Sequence, residues 1–363
     1  MVAFKSLSNL IQSMKKSSKR YHPQKSLLLT RRVKGKTQLH LMEEVGGDNH
    51  TSITEFLLLG FGTIPQLQIF LFLLFLVIYM LTVTGNILII VLVVADPQLH
   101  TPMYFFLGNL SYLETCYTST VLPRMLASLL TGDRTISVRG CVTQLNFFGC
   151  LATTECCLLA AMSYDRYLAI CKPLLYAMLM NGRVCLLLAT GSWLGGLLVS
   201  TLLISFTSQL TFCGHNEIDH FFCDFTPVIQ LSCSDTRLVI LIGFITSFFS
   251  ALSPFLLTLA SYICIIDAIL RIPPGRGRQK AFATCSSHLI VVTIFYGTIL
   301  IVYLLPKNNM LRYLNKAFSV FYTIFTPLIN PLIYSLRNRE VKEGLRKVVS
   351  KFRILGIQTT KLI

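Results

Sequence analysis

The chain contains seven long apolar segments, and this feature most limits what it can fold into. An α-helix rises 1.5 Å per residue, so about 20 apolar residues cross the roughly 30 Å hydrocarbon layer of a bilayer. Only 13% of the 363 residues are charged whereas 53% are hydrophobic, and that charged share is about half of what a soluble domain carries. We therefore predict an all-α membrane protein whose seven spans comprise residues 69–94, 103–130, 141–164, 184–206, 238–270, 281–305 and 317–336.

Lysine and arginine residues in the connections between these spans predict the orientation. One side holds fifteen of them and the other side seven, when the distant N-terminal residues 1–48 are left out. The richer side should be cytoplasmic, which puts the N-terminus outside and the C-terminus inside. After its five acidic residues are subtracted, that side carries about +10. Such a charge suits anionic membrane lipid or an acidic protein partner, and it also follows from topology alone.

The two ends of the chain differ from the spans in composition. Residues 1–48 form a basic extension without the apolar core of a signal peptide, and we predict that it is disordered, with residues 1–41 dispensable. Residues 49–68 form an extracellular segment that opens with Asn49-His50-Thr51, an acceptor sequence for N-glycosylation. Residues 69–336 are the seven-transmembrane domain. In the cytoplasmic tail 337–363, apolar residues at helical spacing from Val341 to Val349 predict a short amphipathic eighth helix on the inner leaflet.

Four of the twelve cysteines fall on the predicted outer side, where disulfides form. They are Cys141, Cys213, Cys223 and Cys233. Three pairings are open to four cysteines, and we predict two disulfides. The stretch 213–223 also holds side chains that could bind zinc, namely Cys213, His215, Glu217, Asp219, His220 and Cys223. Their spacing matches no familiar zinc pattern, so the disulfide interpretation is preferred.

Charged and amide side chains inside the spans are few, and their cost in a bilayer makes each of them a functional candidate. Glu114 and Glu155 lie near mid-membrane in the second and third spans, with Asn86 and Asn330 available as amide partners. This cluster could bind a cation such as sodium or hold a proton. A hydrogen-bonded packing node without an ion explains it equally well.

Several motifs together resemble those of olfactory receptors, a family of rhodopsin-like G-protein-coupled receptors. The motifs are Pro102-Met103-Tyr104 with Leu110-Ser111, Ala161-Met162-Ser163-Tyr164-Asp165-Arg166-Tyr167-Leu168-Ala169-Ile170-Cys171, Lys280-Ala281-Phe282-Ala283-Thr284-Cys285-Ser286-Ser287-His288-Leu289, and Asn330-Pro331-Leu332-Ile333-Tyr334-Ser335-Leu336-Arg337-Asn338. The similarity extends from about residue 50 to 350. It implies a seven-helix bundle in the plasma membrane that senses a small odorant and activates a heterotrimeric G protein of the stimulatory, cAMP-raising olfactory type.

The resemblance also implies roles for individual residues. Arg166 would engage the G protein once the sixth span swings outward, while Asp165 would restrain it at rest. The other residues with implied coupling and activation roles are Tyr167, Tyr262, Asn330, Pro331 and Tyr334. The family's disulfide pattern implies the pairs Cys141–Cys223 and Cys213–Cys233. Glu114 stands where the wider superfamily more often has aspartate, which leaves ion binding there open.

A ligand pocket is implied in the outer halves of the third, fifth, sixth and seventh spans. The candidate lining residues are Phe148, Gly149, Ala152, Thr153, Thr246, Ser247, Ser250, Tyr296, Leu300 and Tyr303. These side chains are mostly apolar, with scattered hydroxyls and no full charge. Such a lining suits a small, volatile, mostly apolar molecule with one hydrogen-bonding group.

Other functions for a seven-span chain find less support in the sequence. A transporter would often show internal repeats and paired broken helices, and none are found. An enzyme is not predicted, because the spans contain no HExxH, GxSxG or paired catalytic aspartates. A chemosensory receptor outside the nose, with the same fold and coupling, remains the alternative. No cofactor and no nucleic acid partner are predicted.

Overall fold

The computed structural model describes residues 53–62, 64–304 and 312–337, together with residues 341, 343, 344 and 346. Three predictions concern residues outside these ranges. They are the disordered extension 1–48, the glycosylation site at Asn49 and most of the eighth helix.

Seven spans form a helix bundle, as predicted. The first four are single helices, Pro65–Ala95, Pro102–Thr131, Val138–Cys171 and Gly182–Thr207. The fifth consists of Arg237–Ser247 and Ser253–Arg271 joined by the π-helical turn Phe248–Leu252, and the sixth is Arg276–Leu304. The seventh consists of Arg312–Val320 and Thr326–Arg337 joined by the π-helical turn Phe321–Phe325. Shorter helices lie at Pro97–Leu99, Tyr176–Leu179 and Phe225–Gln230.

By length and composition alone, five helices of the described part of the chain are apolar enough to cross a membrane. The second span falls short because it carries Asn109, Glu114 and Arg124 among many hydroxyl side chains. The seventh, which Lys316 and Asn330 make more polar, is also not among the five. Both pack inside the bundle, where their polar groups are covered by neighbouring helices.

The third span is the centre of the bundle. It packs against the second, fourth, fifth and sixth spans, and 67% of its most apolar window is buried, compared with 22–28% for the first, fourth and fifth spans. The approach of the fourth span is closest at Gly196, where an added Cβ would lie 2.6 Å from the carbonyl oxygen of Cys150. The outer spans therefore turn most of their surface toward lipid.

Prolines disturb the backbone hydrogen bonds of the fifth and seventh spans at two places. Pro254 has no N–H, and its ring crowds the carbonyl of Ser250, so a π-helical turn replaces the α pattern there. In the seventh span Pro331 leaves the carbonyl of Pro327 without its helical donor. Asn86 of the first span fills that vacancy, since its Nδ2 donates to Pro327 O at 3.1 Å. Gly85 lets the two helices meet, because a Cβ added there would already lie 3.4 Å from the Pro331 ring.

One end of the bundle is covered by a small sheet that the sequence did not predict. Strand β1 (Glu55–Leu58) lies between β2 (Thr135–Ser137), which is antiparallel to it, and β3 (Glu217–Ile218), which is parallel. We call residues 53–62, 132–137 and 208–236 the cap. Its apolar centre contains Phe56 and Phe212, whose rings meet edge to face at 5.1 Å.

Two disulfides hold the cap together, and they are the pairs that the resemblance implied. Cys141–Cys223 joins the start of the third span to the long connection before the fifth, with both cysteines fully buried. Cys213–Cys233 closes a loop within that connection. Because all four cysteines are consumed, none of them is a free thiolate for zinc.

At the opposite end, a few residues of the predicted eighth helix are described. Val341, Glu343, Gly344 and Arg346 are helical, with Val341 and Gly344 buried and the other two exposed. Gly344 lies close to Leu99 after the first span. The amphipathic pattern therefore holds for these four residues.

Candidate functional site

Asp165 and Arg166 lie at the end of the bundle remote from the cap, which we call the Arg166 end. Asp165 is fully buried, and its Oδ2 is 3.5 Å from Nη2 of Arg166. The guanidinium is 15% exposed and also donates from Nε to the sulfur of Met103 at 3.3 Å. In this arrangement the arginine is held inward by its neighbouring carboxylate and by the second span.

Tyr176 is a member of this site that the sequence did not reveal. Its hydroxyl donates to Oδ1 of Asp165 at 2.8 Å, from the short helix Tyr176–Leu179 that follows the third span. Burial, and then the negative charge of Asp165, raises the pKa of Tyr176 well above its usual range. The hydroxyl therefore stays protonated and remains a donor at physiological pH.

A second buried contact links the fifth and sixth spans near the Arg166 end. Tyr262, an activation candidate from the sequence, shares a hydrogen bond of 2.6 Å between its hydroxyl and Nδ1 of His288. Both side chains are buried, and their rings stack at 5.8 Å. His288 stood within one of the motifs but had no role assigned to it. Tyr167 is half-buried beside this cluster.

The seventh span carries three of the predicted activation residues, Asn330, Pro331 and Tyr334. Asn330 and Pro331 are buried there. The backbone of Tyr334 is helical. Its side chain lies outside the described residues, so its predicted role stays a prediction.

The intramembrane polar cluster is assembled differently from the sequence prediction. Asn330 donates from Nδ2 to Oε1 of Glu114, as an amide partner should. Asn86 instead donates to the carbonyls of Thr82 and Pro327. Glu155 is 1% exposed, and within the described residues neither of its carboxyl oxygens has a hydrogen-bond partner. Oε2 of Glu114 also has none among the described residues, so both carboxyl groups have capacity for a proton or a cation, and Glu155 has more of it.

Some of the ligand candidates converge on the bundle interior. Phe148 lies among three other aromatic rings, those of Tyr117 at 5.0 Å, Phe222 at 4.8 Å and Tyr322 at 6.1 Å. Tyr296 is buried against Phe255 at 5.0 Å, and its hydroxyl donates to the carbonyl of Cys156 at 3.2 Å. Two third-span candidates are also covered, with Thr153 buried and Ala152 half-buried.

Other ligand candidates face elsewhere. Gly149 faces the fourth span, since a Cβ there would be 3.0 Å from the hydroxyl of Ser200. Ser247 and Leu300 are exposed on the bundle surface. Thr246 is buried, but its hydroxyl donates within its own helix. The last two candidates are Ser250, half-buried in the fifth-span π-helical turn, and Tyr303, whose side chain lies outside the described residues.

Beneath the cap, charged side chains tie several segments together. Lys316 of the seventh span pairs with Asp219, and its Nζ donates to the carbonyl of Gly60 at 3.1 Å. Arg134 donates to the carbonyls of Leu59 and Gly62. In the described ranges no group of three histidine, cysteine, aspartate or glutamate side chains is placed to hold a metal ion.

Comparison with known proteins gives one consistent result. A sequence profile of the family described as "Olfactory receptor" matches residues 75–352. The chain is 49% identical over 313 residues to human "Olfactory receptor 5AP2", an alignment that covers 86% of this chain and 99% of the human protein. It is 48% identical over 304 residues to the mouse protein of that name, covering 84% and 96%. With human "Olfactory receptor 6N1" the identity is 49% over 309 residues, covering 85% and 99%.

Proposed function

The chain belongs to the olfactory receptor family, and we propose that it binds a small, mostly apolar odorant within its helix bundle and activates a stimulatory, cAMP-raising G protein. Olfactory receptors are multi-pass G-protein-coupled receptors of the plasma membrane rather than enzymes. The observation that carries the proposal is the combination of an aromatic cluster around Phe148 in the bundle interior with a restrained, nearly buried Arg166 at the other end.

The interior supports the ligand class. Phe148, Tyr117 and Tyr322 present aromatic faces, and Thr153 adds a hydroxyl. A ligand that enters this region gains by burying apolar surface, at about 25 cal/mol per Å². It finds no full charge among these side chains, so a neutral or weakly polar molecule is preferred over an ion. The described positions of Gly149, Ser247 and Leu300 argue for weaker roles in binding.

The Arg166 end supports the coupling mechanism. In the arrangement described, Asp165 holds Arg166 inward, and Tyr176 holds Asp165. The Tyr262–His288 contact keeps the fifth and sixth spans together. We propose that activation separates these contacts and frees Arg166 for the G protein. An odorant can drive this change only through its greater affinity for the open packing.

The polar cluster supports a site for sodium or a proton at Glu114 and Glu155. Two carboxyl groups in one buried cluster cannot both stay ionised without compensation, and only Glu114 has a hydrogen-bonding amide beside it. Either occupant would stabilise one helix packing over the other.

The proposed orientation has the cap outside and the Arg166 end in the cytoplasm. One disulfide lies within the cap and the other joins the cap to the start of the third span, and disulfides persist in oxidising compartments. The basic residues concentrate at the Arg166 end, as the positive-inside rule requires.

The direct test is a cAMP assay in cells that also express the stimulatory olfactory G-protein subunit. The chain from Met42 is screened against a panel of volatile compounds beside Arg166→Ala, with surface expression of each measured. We expect a dose-dependent response that Arg166→Ala loses at equal surface level. A normal response from Arg166→Ala would contradict the coupling role, and silence of a surface-expressed parent to the whole panel would contradict the odorant class.

A further inference from the structure

Lys316 is the meeting point of three parts of the molecule. It lies near the cap end of the seventh span, its side chain is only 14% exposed, and it pairs with Asp219 of the cap connection. The same ammonium group donates to the carbonyl of Gly60, which belongs to the segment after β1. One charged side chain thereby fastens the seventh span to both the N-terminal segment and the connection 208–236.

His220 sits at the centre of this junction. Its backbone carbonyl accepts from Gly60 N at 3.1 Å, so the same glycine is held from both sides. The imidazole is 6% exposed and packs against the rings of Phe221 and Phe222, each at 4.6 Å. Among the described residues, its Nδ1 has no hydrogen-bond partner.

The charges around the imidazole disfavour its protonated form. Burial, and then the positive charge of Lys316, lowers the pKa of His220 to about 3, although Asp219 acts in the opposite direction. From residues 53–62 the Gly60 N–H donates to the His220 carbonyl, and the Phe61 ring stacks on Phe221 at 5.2 Å. Arg134 adds a further positive charge to this part of the cap. Protonation of His220 would therefore place a buried positive charge close to the ammonium group of Lys316, which is unfavourable.

We propose that Lys316, Asp219 and His220 form a pH-sensitive clamp that positions the cap on the seventh span and releases it when the outer solution becomes acidic. The clamp is a property beyond the proposed function. It depends on that proposal only for the orientation, which places the cap on the outer side of the membrane. Release would separate β1 from β3 and free the cap end of the seventh span, whose other end carries Asn330 and Pro331.

The direction and size of the pH effect follow from linkage. A histidine whose pKa is lowered in the clamped state stabilises that state fully above its free value of about 6.5, and the stabilisation is lost as pH falls toward 3. For an imidazole that reaches water on release, the ratio of released to clamped cap rises about tenfold between pH 7.4 and pH 5.5. The pH window is therefore mildly acidic rather than extreme.

Hydrogen exchange on the purified full-length receptor measures this ratio without a ligand or a G protein. The reporters are the amides of Leu57, Leu59 and Gly60, which donate to Asn216, Ile218 and His220. Exchange in the peptide that contains them is followed at both pH values and corrected for the pH dependence of intrinsic exchange. We expect about tenfold more opening at pH 5.5 in the parent, and less than twofold in His220→Gln.

His215→Gln is the matched control, because His215 lies in the same connection but is exposed. It should keep the tenfold ratio. Equal opening of the parent at both pH values, or a tenfold ratio that survives in His220→Gln, would overturn the clamp.

If His220→Gln does not fold, the variant Lys316→Met tests the clamp instead. The clamp predicts that this variant opens at pH 7.4 as readily as the parent does at pH 5.5, and unchanged opening would overturn it. Since exchange does not depend on signalling, a failed cAMP response leaves this result intact, and the reverse also holds.

Discussion

Replacing Tyr176 with phenylalanine should raise the activity of the receptor in the absence of ligand. The change removes one hydroxyl and keeps the ring, so the packing of the short helix Tyr176–Leu179 is preserved. What is lost is a hydrogen bond of 2.8 Å to a fully buried carboxylate. Hydrogen bonds to charged groups contribute about 1.5–3 kcal/mol net. We take the lower figure because Tyr176 is only partly buried.

About 1.5 kcal/mol corresponds to roughly a tenfold change in an equilibrium constant. If the bond exists only in the resting packing, its loss multiplies the ratio of active to resting receptor by about ten. A resting population with about 1% active molecules would then contain about 10%. Ligand-independent cAMP, normalised to surface expression, should rise accordingly.

Tyr164→Phe is the matched control, because Tyr164 is an exposed tyrosine that precedes Asp165 in the third span, and its variant should have parental activity. The double variant Asp165→Ala with Tyr176→Phe completes the cycle, because alanine has no oxygen that could accept from the Tyr176 hydroxyl. We expect it to be no more active than Asp165→Ala alone, because the two side chains act through one bond. Parental basal activity in Tyr176→Phe, or simple additivity in the double variant, would refute the proposed restraint.

Three further outcomes are expected. Gly196→Ala should destabilise the purified receptor by about 1–3 kcal/mol in thermal unfolding, because its Cβ would crowd the Cys150 carbonyl, whereas Gly195→Ala, with nothing within 4 Å, should not. Phe148→Ala should weaken odorant potency by about tenfold or more through lost apolar contact, measured as the cAMP dose response, and unchanged potency would remove it from the pocket. Glu155→Gln should abolish any dependence of the odorant response on sodium, together with any pH dependence that persists in His220→Gln, and a retained dependence would place that site elsewhere.

The helical part of the fold was predictable because bilayer thickness imposes a length on every span. Residues 103–130 and 184–206 were predicted, and the observed helices are Pro102–Thr131 and Gly182–Thr207. Glycine and asparagine mark such ends, as where Gly132 adopts a left-handed φ of 75° after the second span. The second span could be recognised despite its polar residues, because apolar residues recur along its whole length.

The cap was not predictable by the same reasoning. Strand β3 has only two residues, Glu217–Ile218, and no alternating pattern can be read from so short a segment. It pairs with Leu57 and Leu58 of β1, which lie about 160 residues earlier in the chain, so no local pattern indicates the contact. The family resemblance supplied the two cysteine pairs, which spacing alone left open among three.

The candidate site was predictable where a motif is continuous and not where the chain folds back. Asp165 and Arg166 are adjacent in sequence, so their pairing needed no knowledge of the fold. Tyr176 reaches Asp165 only through the turn after the third span. Likewise we expected Asn86 to contact a carboxylate, yet it donates to the carbonyl of Pro327, which has no helical donor because Pro331 lacks an N–H. That vacancy exists only in three dimensions.

The topology of the cap sheet has a consequence for biosynthesis. Its central strand, Glu55–Leu58, is made before any span, whereas its neighbours arrive much later, β2 after the second span and β3 after the fourth. Each edge of β1 exposes unpaired backbone groups until its neighbour arrives, and such groups are a template for pairing with other chains. In the proposed orientation, a nascent receptor that stalls before the fourth span is complete displays one open strand edge in the lumen, and closure of the sheet marks a chain whose first four spans have been inserted.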